Sequence, residues 1–363
     1  MEINKMYEAS PIPVIRARYV TLIMRELSKR GVDGGAMLRQ FGLPSNFEMQ
    51  PDSYLALNAV YSLVRWVDLQ FGESVVMDAW AALTIDDFSQ PFRAALCEVS
   101  NLGGALQQLA RLGSQECSVS GYRAHREAQG SLVRVDCQSL CPQASHACME
   151  LLQVFSTMAI VRSYLGEGWQ PDQIFLRQTE GGNSSGMQKC YREHYAKTQT
   201  CIGQPAAGLS FSVSTADLQG VTAHGSSMFD SLPRKPIQFD FPTSLKVLLR
   251  PYLECENLEI KMVAGVAGIS VRTLQRRLQV YSKSYTDLLQ QARLEVAAEL
   301  LSSPESKVID TAYAVGYSDP SHFARAFRRQ CGMTPRQYRC QSLKRERNKN
   351  WREMADAPMA IAG

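Results

Sequence analysis

The pattern of hydrophobic and polar positions is clearest in the last hundred residues of the chain. This part of the chain contains two short segments in which apolar side chains recur at helical spacing on both sides of a glycine. In the first segment Gly268 provides the turn and Ser270 the N-cap of the following helix. Its inward positions are Val263, Ala264, Val271, Leu274 and Leu278. The pattern predicts two helices joined by a tight turn, which is a helix-turn-helix motif.

A second segment repeats this arrangement about fifty residues later. Gly316 and Tyr317 form the predicted turn, Ser318 and Asp319 supply the predicted cap, and Pro320 fits the first position of a helix because its missing N–H needs no partner there. Its inward positions are Val308, Ile309, Ala312, Val315, Phe323 and Phe327. Two such motifs in one chain predict two recognition helices in successive major grooves of DNA.

The segment between the motifs, from Tyr285 to Leu301, has a wide apolar face and predicts one connecting helix, which Ser302, Ser303 and Pro304 stop. Arg293, Glu295 and Glu299 are predicted outside that face. Two major grooves on one face of B-DNA lie about 34 Å apart, so this helix would set the distance between the motifs.

The outer faces of the two recognition helices carry side chains that read bases. Arg pairs with guanine and Gln with adenine in the major groove. Two alternatives stay open: a single arginine contacts only water or phosphate, and His322 is hydrogen-bonded within the protein instead of contacting a base.

These residues resemble the AraC/XylS family of bacterial transcription regulators over roughly residues 241–340. The resemblance implies seven short helices in two subdomains. Gly265 and Ala267 depart from the family pattern in the first motif. The matching segments are 270–278, 293–301, 309–318, 321–327 and 332–339. The base-contacting positions implied are Arg272, Gln275, Arg276, Ser321, His322 and Arg325.

The first 230 residues combine segments with the periodicity of helices and segments with the alternation of strands. Helical spacing predicts helices over 17–28, 54–71, 91–112, 145–165 and 187–195, and alternation predicts strands over 116–127, 131–138, 173–177 and 208–213. The order of elements and the stretch Gly208–Leu218 resemble the arabinose-binding-like N-terminal domain of one branch of the family. That resemblance implies a domain that binds a small-molecule effector, dimerises, or both.

We therefore predict an α+β sensing domain followed by an all-α DNA-binding domain with two helix-turn-helix motifs. The predicted boundaries are 1–230 for effector binding and dimerisation, 231–243 for a linker that contains Pro233, Pro236 and Pro242, 244–340 for DNA binding, and 341–363 for a basic, frayed tail.

The distribution of charge agrees with this division. Residues 241–340 contain 14 Lys and Arg against nine Asp and Glu, whereas residues 1–240 contain 20 against 23. The positive excess lies in the part that would meet phosphate.

The composition excludes membrane-spanning and secreted proteins. The chain has no run of eighteen apolar residues, and its N-terminus lacks the apolar core of a signal peptide, so we expect a cytoplasmic protein with reduced cysteines. We expect no enzyme activity, no cofactor and no metal. The expected partners are double-stranded DNA, a small-molecule effector of unknown identity, RNA polymerase and a second copy of the chain.

Two alternatives remain from other classes. Cys137, Cys141, His146 and Cys148 offer thiolate and imidazole ligands, so the N-terminal domain could be a thiol or metal sensor, or an enzyme that modifies DNA or a metabolite. Their spacing is not that of a zinc knuckle, and packing is the competing interpretation. The third hypothesis is constitutive architectural DNA binding without a ligand.

Overall fold

The computed structural model describes residues 10–44, 50–72, 74–126, 132–139, 147–177, 195, 197–213, 239–255 and 257–344. The chain divides into two compact units. One comprises residues 10–244 together with 265–268, and the other contains residues 245–264 and the chain from residue 269 onward.

The N-terminal unit combines helices with two sheets. Its strands are β1 (Val14–Arg16), β2 (Tyr54–Ala56), β3 (Ser120–Arg126), β4 (Leu132–Ser139), β5 (Gln173–Leu176), β6 (Gln199–Ile202) and β7 (Ala207–Ser212). Its helices are α1 (Ala17–Lys29), α2 (Gly34–Gln40), α3 (Leu57–Phe71), α4 (Ser74–Ala81), α5 (Gln90–Cys97), α6 (Leu102–Glu116) and α7 (Ala147–Leu165).

The larger sheet has the strand order β3-β4-β7-β5-β6, with only the β5–β6 pair parallel. In β4 the buried side chains of Val133, Val135 and Cys137 alternate with more exposed ones, as the pleat requires. Gly208 of β7 lies so close to β4 that an added Cβ would stand 2.2 Å from the carbonyl oxygen of Val135. A glycine is therefore required at this crossing.

Helix α7 packs against β4 and β7 and also against α4 and α6. Because it is covered on several sides, it has buried apolar residues around its circumference instead of a single stripe, as the side chains of Leu151, Val154, Phe155 and Ile160 show. The N-terminal unit is therefore α+β, as the sequence predicts.

Several predicted elements differ in detail from the observed ones. The helix predicted over 91–112 is two helices, α5 and α6, because Asn101 starts a new helix by accepting a hydrogen bond from the Gly104 N–H at 2.8 Å. The helix predicted from residue 54 is preceded by the short strand β2, which pairs with β1. The helix predicted over 187–195 lies almost wholly outside the described residues.

In its described residues the C-terminal unit is all helical. Its helices are α8 (Phe241–Leu249), which begins in the other unit, α9 (Ile260–Val266), α10 (Val271–Val280), α11 (Tyr285–Ser302), α12 (Val308–Ala314), α13 (Pro320–Cys331) and α14 (residues 335–344). These are seven α-helices among the described residues, the number that the resemblance implies, and a short 3-10 helix (Arg250–Tyr252) follows the first of them.

The boundaries around the C-terminal unit differ from the predicted ones at both ends. Of the predicted linker, residues 231–238 lie outside the described residues, and α8 begins at Phe241, within that predicted linker. Of the predicted tail, residues 341–344 continue α14, and residues 345–363 lie outside the described residues.

Two side chains lie on the opposite side from the one that the sequence predicts. Ile309 is 56% exposed, because the inward stripe of α12 runs through Val308, Thr311 and Ala312, and Ile309 is one residue out of phase with it. Arg293, predicted on the solvent face of the connecting helix, is buried.

The two departures from the family pattern are accommodated differently. Gly265 is exposed on α9, where an added Cβ would meet nothing within 4 Å. Ala267 is buried in the turn after that helix.

Candidate nucleic-acid interface

Helix α10 is the recognition helix of the first motif. Leu274 and Leu278 are buried on its inner side. The side chains that the sequence predicts to contact bases, Arg272, Gln275 and Arg276, are all exposed on its outer side. The helix is therefore apolar towards the core and basic or amide-bearing towards solvent.

The start of α10 is fixed by the predicted cap. The Ser270 hydroxyl accepts a hydrogen bond from the Thr273 N–H at 3.1 Å, and the two hydroxyl groups lie 2.9 Å apart. Gly268 takes a φ of +68° in the turn before it, which a side chain with a Cβ rarely adopts. Both predictions of turn chemistry in the first motif are confirmed.

Helix α13 is the recognition helix of the second motif. Phe323 and Phe327 are each 2% exposed, and Ser321, His322 and Arg325 are exposed on the other faces. Arg328 and Arg329 in the last turn are also exposed, where positive charge is favourable to the helix dipole. The helix ends at Gly332, which has a left-handed conformation with a φ of +72°.

Asp319 caps α13 and also faces His322. Its carboxylate accepts a hydrogen bond from the Ser321 N–H at 2.7 Å, and this bond holds the pKa of Asp319 below its ordinary value. The second carboxylate oxygen lies 3.6 Å from Nε2 of His322. A protonated His322 would thus interact with the cap, so contact with a base and interaction within the protein both stay open for this histidine.

Helix α11 joins the two motifs. Ser284 and Asp287 form a capping box at its start, and the Tyr285 hydroxyl donates to the Leu258 carbonyl at 2.7 Å. Its 18 residues correspond to a length of about 27 Å. This length is of the same order as the spacing of successive major grooves on one face of B-DNA.

The acidic side chains of α11 are paired within the unit. Glu295 accepts from Lys246 of α8 at 2.5 Å, and Glu299 forms a two-point ion pair with Arg250. These carboxylates are therefore partly neutralised by Lys246 and Arg250. The arginines named on α10 and α13 are exposed.

The structure thus places the six sequence-predicted contact residues on the exposed faces of two recognition helices, three on each. Their contacts with bases stay predictions. Sequence reasoning missed Arg293, whose guanidinium packs beside the ring of Tyr317. Its signals in the sequence are its place at the start of the matching segment 293–301 and its position three residues after Gln290, which places both side chains on one face of α11.

The cysteine cluster gains no support as a chemical centre. Cys137 is buried in β4, and burial raises the pKa of its thiol, which disfavours the thiolate needed for metal binding or nucleophilic attack. Cys141, His146 and the side chain of Cys148 lie outside the described residues. Among the described residues, no group of three or more His, Cys, Asp or Glu side chains is arranged to hold a metal ion.

The described helices also include none with the length and apolar character needed to span a bilayer.

Comparison with known proteins gives one family match and several partial relatives. Residues 263–341 match the family model of a helix-turn-helix domain. Transcriptional activator NphR from Rhodococcus sp. is 31% identical over 97 residues, which cover 27% of this chain and 29% of that protein. HTH-type transcriptional regulator VirS from Mycobacterium tuberculosis is 37% identical over 92 residues, covering 25% and 27%.

HTH-type transcriptional activator RhaS from Escherichia coli O1:K1 / APEC is 40% identical over 96 residues, covering 25% of this chain and 34% of that protein. The chain therefore spans about a third or less of the length of these curated relatives.

Two solved structures are also similar to parts of the chain. An AraC-type transcriptional regulator from Chromobacterium violaceum is 27% identical, with a TM-score of 0.26, and the match covers 27% of this chain and 88% of that one. Transcriptional regulator CdpR from Pseudomonas aeruginosa is 17% identical, with a TM-score of 0.32, covering 77% and 91%.

Proposed function

We propose that this chain, whose C-terminal segment is a helix-turn-helix domain of the AraC/XylS type, is a sequence-specific DNA-binding transcription regulator. The observation that carries the proposal is the pair of recognition helices, α10 and α13, joined by the single helix α11. Each recognition helix buries an apolar side and exposes a side with arginine and other hydrogen-bonding groups.

The chemistry of these exposed faces suits base recognition. In the first half-site, Arg272 and Arg276 would donate to the guanine O6 and N7 acceptors, and the Gln275 amide would pair with adenine. In the second, Arg325 would read guanine, while the shorter side chains Ser321 and His322 would donate to or accept from nearby base edges.

Other exposed arginines fit contacts to the DNA backbone. Arg328, Arg329 and Arg336 are exposed close to the end of α13, where they would neutralise phosphates and fix the register of the second motif without reading sequence. This division of roles predicts strong salt dependence of binding.

The N-terminal unit is proposed to control this binding in response to a small-molecule effector and to form a homodimer. Support comes from its separate α+β fold and from its excess of acidic over basic residues, which disfavours contact with DNA. An effector changes DNA binding only if it binds two states of the protein with different affinities. RNA polymerase is the proposed downstream partner, in the cytoplasm.

The test is selection of duplexes from a random library by the full chain, followed by footprinting on the selected sequence. We expect a bipartite site whose halves are centred about 10 bp apart, and an affinity that falls steeply with salt concentration. A selection that yields no common sequence, or a salt dependence near zero, would contradict the proposal.

A pair of matched variants sharpens this test. Replacing both Arg276 and Arg325 by alanine should abolish protection of the selected site. Replacing Arg111, an exposed arginine on α6, by alanine should leave protection unchanged. Equal losses in the two proteins would show that only overall positive charge matters.

A further inference from the structure

Arg293 is an unusual residue for the middle of a connecting helix, because it is charged and only 9% exposed. Its guanidinium carbon lies 5.1 Å from the centre of the Tyr317 ring. Burial of a guanidinium is costly unless its surroundings compensate the charge, and an aromatic face does so in part. The side chain is therefore built into the second motif instead of lying in solvent.

Tyr317 is held at its other end by the same helix. Its hydroxyl donates to Oε1 of Gln290 at 2.7 Å. Gln290 and Arg293 are three residues apart on α11, so they project from the same face. Helix α11 thus holds one aromatic side chain at two points, with the guanidinium against the ring and the amide on the hydroxyl.

The turn before Tyr317 is closely packed against the same arginine. Gly316 has a φ of +78°, and a Cβ added there would lie 2.1 Å from the carbonyl oxygen of Leu253 and 3.0 Å from Nη2 of Arg293. The backbone carbonyl of Leu253 therefore leaves this turn little room to shift, and the guanidinium of Arg293 lies beside it.

The held ring leads directly into the recognition helix. The centres of the Tyr317 and Phe323 rings are 5.6 Å apart in an edge-on arrangement, and those of Phe323 and Phe327 are also 5.6 Å apart. A cleft between α11 and α13 is lined by Gln290, Arg293, Tyr317, Phe323 and Gln330, among others. The rotation of α13 about its axis, which aims Ser321, His322 and Arg325, thus depends on where Tyr317 is held.

We infer that Gln290 and Arg293 form a positioning clamp on Tyr317 that orients the second recognition helix. The clamp then governs base discrimination in the second half-site although its buried arginine contacts no DNA. The inference rests on the DNA-reading function proposed above. Removal of the clamp leaves the first recognition helix, α10, and its half-site unaffected.

The experiment uses the full chain and three duplexes: the site selected by the wild-type protein, the same site with its first half scrambled, and the same site with its second half scrambled. The quantity measured is the ratio of affinities for the intact duplex and each scrambled duplex. For Arg293→Met, which keeps an unbranched apolar stem, we expect the ratio for the second half to fall about tenfold. The ratio for the first half should stay at the wild-type value.

Conservative variants separate positioning from simple packing. Arg293→Lys retains a cation beside the ring and should restore part of the lost discrimination. Gln290→Leu should weaken second-half discrimination, whereas Gln291→Leu, a neighbouring exposed glutamine, should not. Tyr317→Phe keeps the ring and removes only the hydroxyl, so it also serves if Arg293→Met does not fold.

Tyr317→Phe and Gln290→Leu remove the same hydrogen bond, so the double variant should lose no more discrimination than the larger single variant. Equal loss in both half-sites, or unchanged discrimination in all clamp variants, would overturn the inference. A wild-type protein that selects no sequence would instead refute the proposed function itself.

Discussion

The two helix-turn-helix motifs share one plan but hold their recognition helices in different ways. In the first, α10 is anchored by the aliphatic side chains of Leu274 and Leu278. In the second, α13 is anchored by a chain of aromatic rings that runs from Tyr317 through Phe323 and Phe327 to Tyr338, with neighbouring ring centres 5.5–5.6 Å apart.

The ends of the two recognition helices differ as well. Helix α13 ends at Gly332 in the left-handed region, where glycine carries no steric penalty. Helix α10 is followed by Ser282, which has a φ of +53° and is the one residue other than glycine with a positive φ in the described chain. Aromatic rings prefer particular packing geometries, and a glycine fixes the end of the helix. These features therefore specify the position of α13 more strictly than the leucine contacts specify that of α10.

The largest expected effect is that of Phe327→Ala. This side chain is 2% exposed and packs against Phe323 and Tyr338, so its removal should lower the free energy of unfolding by about 3–5 kcal/mol. Urea unfolding followed by circular dichroism measures the change. Arg329→Ala on the exposed side of the same helix is the control and should change stability by less than about 0.5 kcal/mol.

The corresponding change in the first motif is Leu278→Ala. Leu278 is 1% exposed, and its truncation should cost about 2–4 kcal/mol. Under the same urea conditions this loss should be smaller than that of Phe327→Ala. If the order is reversed, the aromatic chain is not the stronger anchor and the comparison of the motifs is wrong.

Loss of a base-contacting side chain should impair recognition only in the half-site that its own motif reads. Arg276→Ala should cost about 1–3 kcal/mol of binding free energy and relax one base position in the first half-site, and Arg325→Ala should do the same in the second. Competition binding with singly substituted duplexes measures this. A uniform loss across all sequences would make the arginine in question a phosphate contact.

The helix ends should respond with opposite signs. Ser282→Gly relieves a left-handed conformation and should stabilise the protein by about 0.5–1 kcal/mol, whereas Gly332→Ala should destabilise it by about 1–2 kcal/mol. Thermal unfolding of the two variants beside the wild type gives both values. Loss of stability in Ser282→Gly would show that the serine side chain makes a contribution larger than the backbone strain.

The smallest effect concerns pH, because only one of the two caps titrates. The pKa of Asp319 is lowered in the folded protein by the Ser321 N–H, so its stabilising contribution is complete above the unfolded value of about 4 and is lost as the pH falls through the folded value. Stability measured between pH 6 and pH 3 should therefore fall slightly less in Asp319→Asn than in the wild type. Ser270→Ala should leave the acid dependence unchanged, and an altered slope in that variant would contradict the assignment.

Much of the C-terminal fold could be predicted because its signals are local. Ser270 at a cap and Pro320 at a first helical position mark helix starts, and glycines with positive φ mark the turns. The predicted and observed ends of α11 agree to within one residue. The α+β class of the N-terminal unit follows equally from its two periodicities.

The features that the sequence did not predict are those that depend on contacts between distant parts of the chain. Strand β6 pairs in parallel with β5, a partner that no local pattern reveals, and β1 and β2 have only three residues each. The burial of Arg293 could not be predicted because a positive charge ordinarily indicates solvent, and its environment is created by Tyr317, 24 positions further along the chain. The exposure of the six predicted contact residues could be predicted because exposure on a helix follows from periodicity, whereas their contacts with bases stay predictions.

Helix α11 has a geometric consequence for how regulators of this design can change their target sites. Each residue inserted into an α-helix moves the downstream part of the chain by about 1.5 Å and rotates it by about 100°. Seven added residues would carry the second motif about 10 Å further with a phase error of only about 20°, but three base pairs of DNA covering that distance rotate by about 108°. A change in the length of the connecting helix therefore moves and rotates the second motif at the same time. Because this rotation differs from that of the DNA over the same distance, the helix length and the separation of the half-sites cannot be adjusted independently. Substitutions among the exposed side chains of the recognition helices can then change the sequence that is bound. The mismatch between the rotation of the helix and that of the DNA keeps the spacing of the half-sites constant.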